Sequence, residues 1–292
     1  MRTAIATAAT VLAFAVLVVF AGWTVMAAGF DSAGVPAASA EDRFLDVGGV
    51  RTRYRVTGSG EPTIVLIHGF GGSIESWDVA PRDMPCGRVV ALDLPGFGAS
   101  ARPNRSSGLA EQQRWLVQAM TRLGVGRAVL VGASMGGAVA AFTAARAPDR
   151  VQALVLVSPS GFPGSLQASG LQGYLARHRL ANRVAWWIVH LPSYGWLFPR
   201  SLARQSISVT ASYDAAYADA LREIRAPTLL YWSPGDARVP FAFAAQYLAR
   251  IRGARLVQAP LPAAHNLQHY DPAALARVIC GFVTGAARGS GT

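Results

Sequence analysis

Ala128-Val129-Leu130-Val131-Gly132-Ala133-Ser134-Met135-Gly136-Gly137-Ala138 decides how the rest of the chain is read. Ala128–Gly132 is a short, wholly apolar run, the pattern of a strand buried on both faces. Met135–Ala147 follows as a small-residue helix and Pro148 ends it. Between them, Gly132-Ala133-Ser134-Met135-Gly136 fits G-x-S-x-G in the context that gives the pattern meaning, strand before and helix after. Such a turn holds Ser134 in strained backbone geometry, with its hydroxyl at the edge of a sheet. Strand and helix come close there, so the positions two before and two after must be small, and Gly132 and Gly136 comply. The helix N-terminus adds partial positive charge and N–H groups without intrahelical partners.

Further apolar runs lie on either side. Thr63–His68, Arg88–Asp93, Val151–Val157, Thr228–Trp232 and Arg255–Ala259 read as strands. Ala110–Leu123, Phe241–Ile251 and Pro272–Val283 read as helices. Phe44–Val47 and Arg51–Thr57 read as a hairpin turning at Gly48-Gly49. This alternation predicts an α/β fold: a mostly parallel sheet with helices on both faces. Residues 163–226 break the rhythm, lacking a β run and carrying many aromatic residues. They are predicted to be a helical cap inserted between two parts of the core, 43–162 and 227–285, with 286–292 as a flexible tail.

A serine hydroxyl needs a base, and the base needs an acid to orient it. Both are expected at later strand ends, acid first and histidine second. Asp236 follows the Thr228–Trp232 strand in Ser233-Pro234-Gly235-Asp236. The preceding strand ends in Ser158-Pro159-Ser160-Gly161, with no carboxylate, which favours Asp236 as the acid. Of five histidines, His265 lies in the loop after the last strand and is the predicted base, with His269 as a neighbour. His178 and His190 fall in the cap. His68 and Asp93 precede Ser134 and read as structural. An oxyanion hole needs two backbone N–H donors. Met135 supplies one, directly after the nucleophile. Phe70, in His68-Gly69-Phe70-Gly71-Gly72, is the predicted second.

The chain has 292 residues, 52% hydrophobic and only 15% charged, against roughly 25% in an average globular domain. The apolar excess is concentrated at one end: 23 of the first 30 residues are hydrophobic and no charge occurs between Arg2 and Asp31. Ala4–Ala28 is long enough for a membrane span, so residues 1–30 are predicted to anchor the chain, with 31–42 as a tether. Arg2 before the span and Asp31, Glu41 and Asp42 after it place the body outside the cytoplasm. The competing reading is a signal cleaved near Ala38-Ser39-Ala40, which would leave a secreted or periplasmic protein. No second uncharged run of such length occurs, which argues against a multi-pass membrane protein.

The net charge is +11, and all 27 basic residues are arginine. They are scattered and form no nucleic-acid-binding module, so no nucleic-acid partner is expected. Two cysteines, Cys86 and Cys280, are too few for a cysteine-based zinc site or a disulfide framework. They are expected as two buried thiols, with one disulfide as the alternative for an exported domain. No metal or cofactor is called for.

Taken in order, His68-Gly69-Phe70-Gly71-Gly72, Asp93-Leu94-Pro95-Gly96-Phe97-Gly98, the Ser134 turn, Asp236 with Val239-Pro240, and His265 with Pro272 beyond it resemble the α/β-hydrolase superfamily over residues 44–284. The resemblance implies an eight-stranded, mostly parallel sheet and a Ser134–Asp236–His265 triad. Within the superfamily, the His-Gly-Phe loop, Ser134-Met135-Gly136-Gly137 and the apolar N-terminus are most similar to membrane-anchored monoacylglycerol lipases and bacterial esterases. Two positions depart from the family pattern: Ser233 and Ala264 stand where members often carry glycine. Ser134 sets the chain apart from epoxide hydrolases and haloalkane dehalogenases, which have aspartate there.

The expected function is hydrolysis of carboxylic esters through an acyl-enzyme, on monoacyl or medium-chain lipid substrates. Trp186, Trp187, Trp196 and Phe198 of the cap are candidates for lining the acyl pocket. Two alternatives share the pattern: a C–C bond hydrolase or cofactor-free haloperoxidase or perhydrolase with the same triad, and a non-catalytic ligand-binding member of the fold.

Overall fold

The computed structural model describes residues 39–77, 84–103, 107–165, 208–260 and 264–289, together with positions 180, 183, 184 and 187. Eight strands form one sheet: β1 (Arg43–Val47), β2 (Val50–Thr57), β3 (Thr63–Ile67), β4 (Arg88–Leu92), β5 (Ala128–Ala133), β6 (Val151–Val157), β7 (Thr228–Trp232) and β8 (Arg255–Gln258). Their order across the sheet is β1-β2-β4-β3-β5-β6-β7-β8. The β1–β2 hairpin is antiparallel and pairs antiparallel with β4, and every other pairing is parallel.

The inner strands are apolar throughout because both faces of the sheet are covered. In β3, Val65 and Ile67 belong to one core while Ile64 and Leu66 belong to the other. Side chains alternate across a strand, so only a doubly covered strand loses its polar face. One core packs under α1 (Leu109–Arg122) and α2 (Met135–Arg146), with Trp115, Leu116, Ala119 and Met120 facing in. At its start, the Glu111 carboxylate accepts from Gly108 N–H at 3.0 Å, satisfying a donor the helix leaves open. The other core packs under α6 (Pro272–Gly289), whose Leu275, Ala276, Ile279 and Val283 recur at helical spacing. Shorter helices with described bounds are α3 (Ala215–Ala220), α4 (Ala244–Leu248) and α5 (Leu267–Tyr270).

Two sequence expectations change. The last helix runs to Gly289 rather than ending at Val283, so the predicted tail from 286 begins as helix. Ala286 and Ala287 are strong helix formers and no proline stops them. The cysteines are not two thiols: Cys86 and Cys280 form a disulfide, with Cα atoms 5.5 Å apart. The loop entering β4 and helix α6 pack on the same side of the sheet, which brings together positions 194 apart in sequence.

Among the described residues no helix is long and apolar enough to cross a membrane. The predicted span, Ala4–Ala28, lies outside those residues, as does most of the predicted cap.

Candidate active site

Parallel strands gather their C-terminal ends on one edge of the sheet, and Phe70, Ser134, Met135, Asp236 and His265 follow strand ends there. Ser134 joins β5 to α2 with φ 52° and ψ −117°. A non-glycine residue at such angles costs on the order of 1–3 kcal/mol and persists only where its surroundings hold it. Both backbone groups of Ser134 are held. Its N–H donates to Val157 O at 3.0 Å, and its carbonyl accepts from Ser160 N–H at 3.1 Å and Ala138 N–H at 3.2 Å. The glycines around it are fixed by contact. A Cβ on Gly132 would lie 2.3 Å from Gly136 O, and one on Gly136 would lie 2.2 Å from Ile67 O and 2.4 Å from His68 O. A Cβ on Gly137 would press on Pro159 at 2.8 Å.

The loop after β3 lies against this turn, since a Cβ on Gly69 would come 3.2 Å from Ser134 Cβ. Gly69 to Gly72 form a β-turn closed by Gly72 N–H donating to Gly69 O at 3.1 Å. Gly71 takes φ +71° at its third position, which marks a type II turn and explains the glycine. Phe70 is the second residue of the turn and packs edge-on against Phe97, centroids 5.4 Å apart. Met135 N–H is at the first position of α2, where no intrahelical acceptor exists.

His68 has a bonding role. It is fully buried, its Nε2 accepts from Leu94 N–H at 3.0 Å, and its Nδ1–H donates to Gly69 O at 2.7 Å. Burial lowers its pKa, keeping the ring in the neutral form those two bonds require. Asp93 ties the neighbouring loops. Its carboxylate accepts from Ile74 N–H and Ala99 N–H, both at 2.7 Å, and pairs with buried Arg53 at 2.6 Å. Arg53 also pairs with Asp42 at 3.1 Å and Glu75 at 2.7 Å, so the start of β1 and the two loops are bolted together.

Asp236 and His265 come together. His265 Nδ1 lies 2.7 Å from Asp236 Oδ2. The other carboxylate oxygen accepts from Arg238 N–H and Val239 N–H, both at 2.8 Å. Asp236 is buried and His265 half-buried. With Nδ1 committed to the carboxylate, Nε2 is the nitrogen left to act as a base. Ser134 Oγ makes no hydrogen bond to a described residue. His269 sits exposed in α5.

Of the cap residues, Trp186, Trp196 and Phe198 lie outside the described residues. Trp187 is 62% exposed and borders a cleft of about 790 Å³ with Leu109, Phe142 and Tyr217. That cleft is lined by neither Ser134, Asp236 nor His265. Sequence reasoning passed over Ser160, Tyr213 and Tyr247, which are hydrogen-bonded beneath the Ser134 turn.

Residues 62–174 match the family model of the alpha/beta hydrolase fold. The chain has the α/β-hydrolase fold. The chain is 40% identical over 148 residues to the dihydrolipoyllysine-residue acetyltransferase component of the acetoin cleaving system of Cupriavidus necator, covering 50% of this chain and 39% of that one. It is 37% identical over 125 residues to a 2-hydroxy-6-oxo-6-(2'-aminophenyl)hexa-2,4-dienoic acid hydrolase of Metapseudomonas resinovorans, covering 41% and 43%. The chain thus spans less than half the length of both curated relatives. Among solved structures, a membrane phospholipase A described as a bacterial virulence factor superposes with TM-score 0.64 at 25% identity, covering 98% of this chain and 99% of that one.

Proposed function

We propose that this chain cleaves carboxylic esters through an acyl-enzyme on Ser134. The observation that carries the reading is the Asp236–His265 pair, closed at 2.7 Å on the same sheet edge as the strained Ser134 turn. His265 Nε2 takes the Ser134 proton as Oγ attacks the ester carbonyl. Asp236 holds the ring in the Nδ1–H form and stabilises it once protonated. The N–H groups of Met135 and Phe70 receive the oxyanion, in a place where one such donor is worth about 10²–10³ in turnover. His265 then gives its proton to the departing alcohol. Water, deprotonated by His265, attacks the acyl carbon, and Ser134 leaves with the proton. The contact from Ser134 Oγ to the base closes when substrate is bound.

The substrate class rests on the aromatic cap sequence and on the likeness to a membrane phospholipase. A monoacyl or medium-chain lipid ester fits both. The apolar first 30 residues support a body held outside the cytoplasm, or released there by cleavage. The Cys86–Cys280 disulfide supports the same compartment, because such bonds persist where the surroundings are oxidising.

A second reading is C–C bond hydrolysis with the same three residues, favoured by the similarity to the Metapseudomonas hydrolase. Turnover of p-nitrophenyl esters from acetyl to dodecanoyl, run beside a diketone substrate, separates the two. Ester turnover rising to medium chain length is expected. A strong acetyl preference would overturn the lipid assignment, and faster diketone cleavage would overturn the ester assignment.

A further inference from the structure

Beneath the Ser134 turn lies a chain of buried hydroxyls that the acyl-enzyme mechanism does not use. Ser160 N–H donates to Ser134 O at 3.1 Å. Ser160 Oγ and Tyr213 OH are 2.7 Å apart. Tyr247 OH donates to Ser160 O at 2.7 Å, and Tyr217 OH lies 2.9 Å from Tyr247 OH. Ser160 and Tyr247 are fully buried, and Tyr213 and Tyr217 nearly so. Burial raises the pKa of all three tyrosines, so they stay protonated as donors.

The elements joined are far apart in sequence. Ser160 lies just past the end of β6, Tyr213 in the last part of the predicted cap segment just before α3, and Tyr247 in α4. Gly161 continues the fit. At φ +146° it lies so close to Tyr217 that a Cβ would meet the ring at 2.5 Å. Ser160 is therefore held through its side chain and its carbonyl, and its remaining backbone donor is spent on the carbonyl of Ser134. That carbonyl belongs to Ser134, one of two described non-glycine residues, with Ser158, held at positive φ, a strain that its surroundings must impose.

We propose that Ser160 and Tyr213 are positioning residues for the nucleophile: the Tyr213–Ser160 hydroxyl pair sets where Ser160 N–H stands, and so where Ser134 and the Met135 N–H stand. The proposal rests on the acyl-enzyme reading. It also makes Tyr213 the contact through which the base of the cap acts on the turn.

A merely structural pair would behave differently. Removing one hydroxyl leaves its buried partner unsatisfied and lowers stability, whereas removing both at matched shape is nearly neutral. The test therefore compares Ser160→Ala, Tyr213→Phe and the double variant in the full chain, by melting temperature, kcat and KM for a p-nitrophenyl ester, and rate of labelling by a fluorophosphonate. Both single variants are expected to melt lower. The double variant is expected to regain most of the melting temperature but to keep a kcat and labelling rate about 10-fold below wild type, with KM within about twofold. Tyr247→Phe, which removes the donor to Ser160 O, is expected to show the same loss of kcat at unchanged KM and keeps the test open if a single variant fails to fold. A double variant with wild-type kcat and labelling rate would overturn the positioning role while leaving the nucleophile assignment intact. A wild-type protein that is never labelled would overturn the acyl-enzyme reading, and the positioning role with it.

Discussion

His265 Nδ1 stands 2.7 Å from Asp236 Oδ2 while Asp236 Oδ1 is held by two backbone N–H groups, those of Arg238 and Val239. The carboxylate therefore has no freedom to exchange its oxygens. The oxygen facing the histidine is chosen by the backbone of its own loop.

This makes Asp236→Asn a sharp test of the base. The two N–H donors require the amide oxygen on their side, which turns the Asn NH₂ toward His265 Nδ1. The ring must then accept at Nδ1 and carry its proton on Nε2, where it cannot take one from Ser134. Turnover of a p-nitrophenyl ester is expected to fall about 10⁴-fold with the fold intact by circular dichroism. A loss below about tenfold would count against Asp236 as the orienting acid.

Positions 132 and 136 of the turn are expected to tolerate nothing larger than glycine. In Gly136→Ala the new Cβ meets two backbone carbonyls of the neighbouring strand and loop, at 2.2 and 2.4 Å, and neither can swing away. Urea denaturation should show a loss of more than about 3 kcal/mol or no folded protein. Gly281→Ala is the control: a Cβ there has nothing within 4 Å, and alanine in a helix interior should raise stability by up to about 1 kcal/mol.

Acid is expected to weaken the fold in two stages. His68 is neutral in the native state because burial lowers its pKa from an ordinary 6.5, while the unfolded chain protonates it. Its contribution is complete above pH 6.5 and declines as pH falls from there toward the lowered native value. Burial works against the Asp42 and Glu75 carboxylates. Their hydrogen bonds, from Ser39 N–H and Arg55 to Asp42 and from Ser73 and Arg53 to Glu75, outweigh it and lower both pKa values. Their contribution is complete above their ordinary values of 3.8 and 4.5 and declines as pH falls below them. Melting temperature measured from pH 8 to 3 should show both declines. His68→Asn should flatten the first, and an unchanged slope there would contradict the neutral, bonded His68.

The Cys86–Cys280 bond closes a long loop between the sheet and α6. Mass spectrometry of protein exported to an oxidising compartment should find the two peptides linked. Cys280→Ser is expected to cost about 2–5 kcal/mol by chemical denaturation. An unlinked pair in such material would contradict the bond.

The sheet was readable in the sequence because burial on both faces removes the polar half of a strand's pattern, as in Thr63–Ile67 and Ala128–Ala133. The Ser134 turn was readable because its requirements are local: two glycines, a strand and a helix within a dozen residues. Asp236 and His265 followed from strand-end topology. What escaped is non-local. The disulfide joins residues 194 apart, and Ser160 meets Tyr213 and Tyr247 across 53 and 87 residues. No periodicity along the chain marks such pairs, since only the docking of α4, α6 and the residues before α3 onto the sheet creates them. The His265 neighbourhood shows the same divide: its loop position was legible, whereas the double N–H clamp on Asp236 emerges only in three dimensions.

Covalent labelling reads the central claim most directly. Wild-type protein and Ser134→Ala are treated with a fluorophosphonate and the modified peptide is identified by mass spectrometry. One adduct on Ser134 is expected, absent from Ser134→Ala and slowed by Asp236→Asn, with ester turnover lost in step. An unlabelled wild-type protein, or ester turnover that survives in Ser134→Ala, would contradict the acyl-enzyme on Ser134.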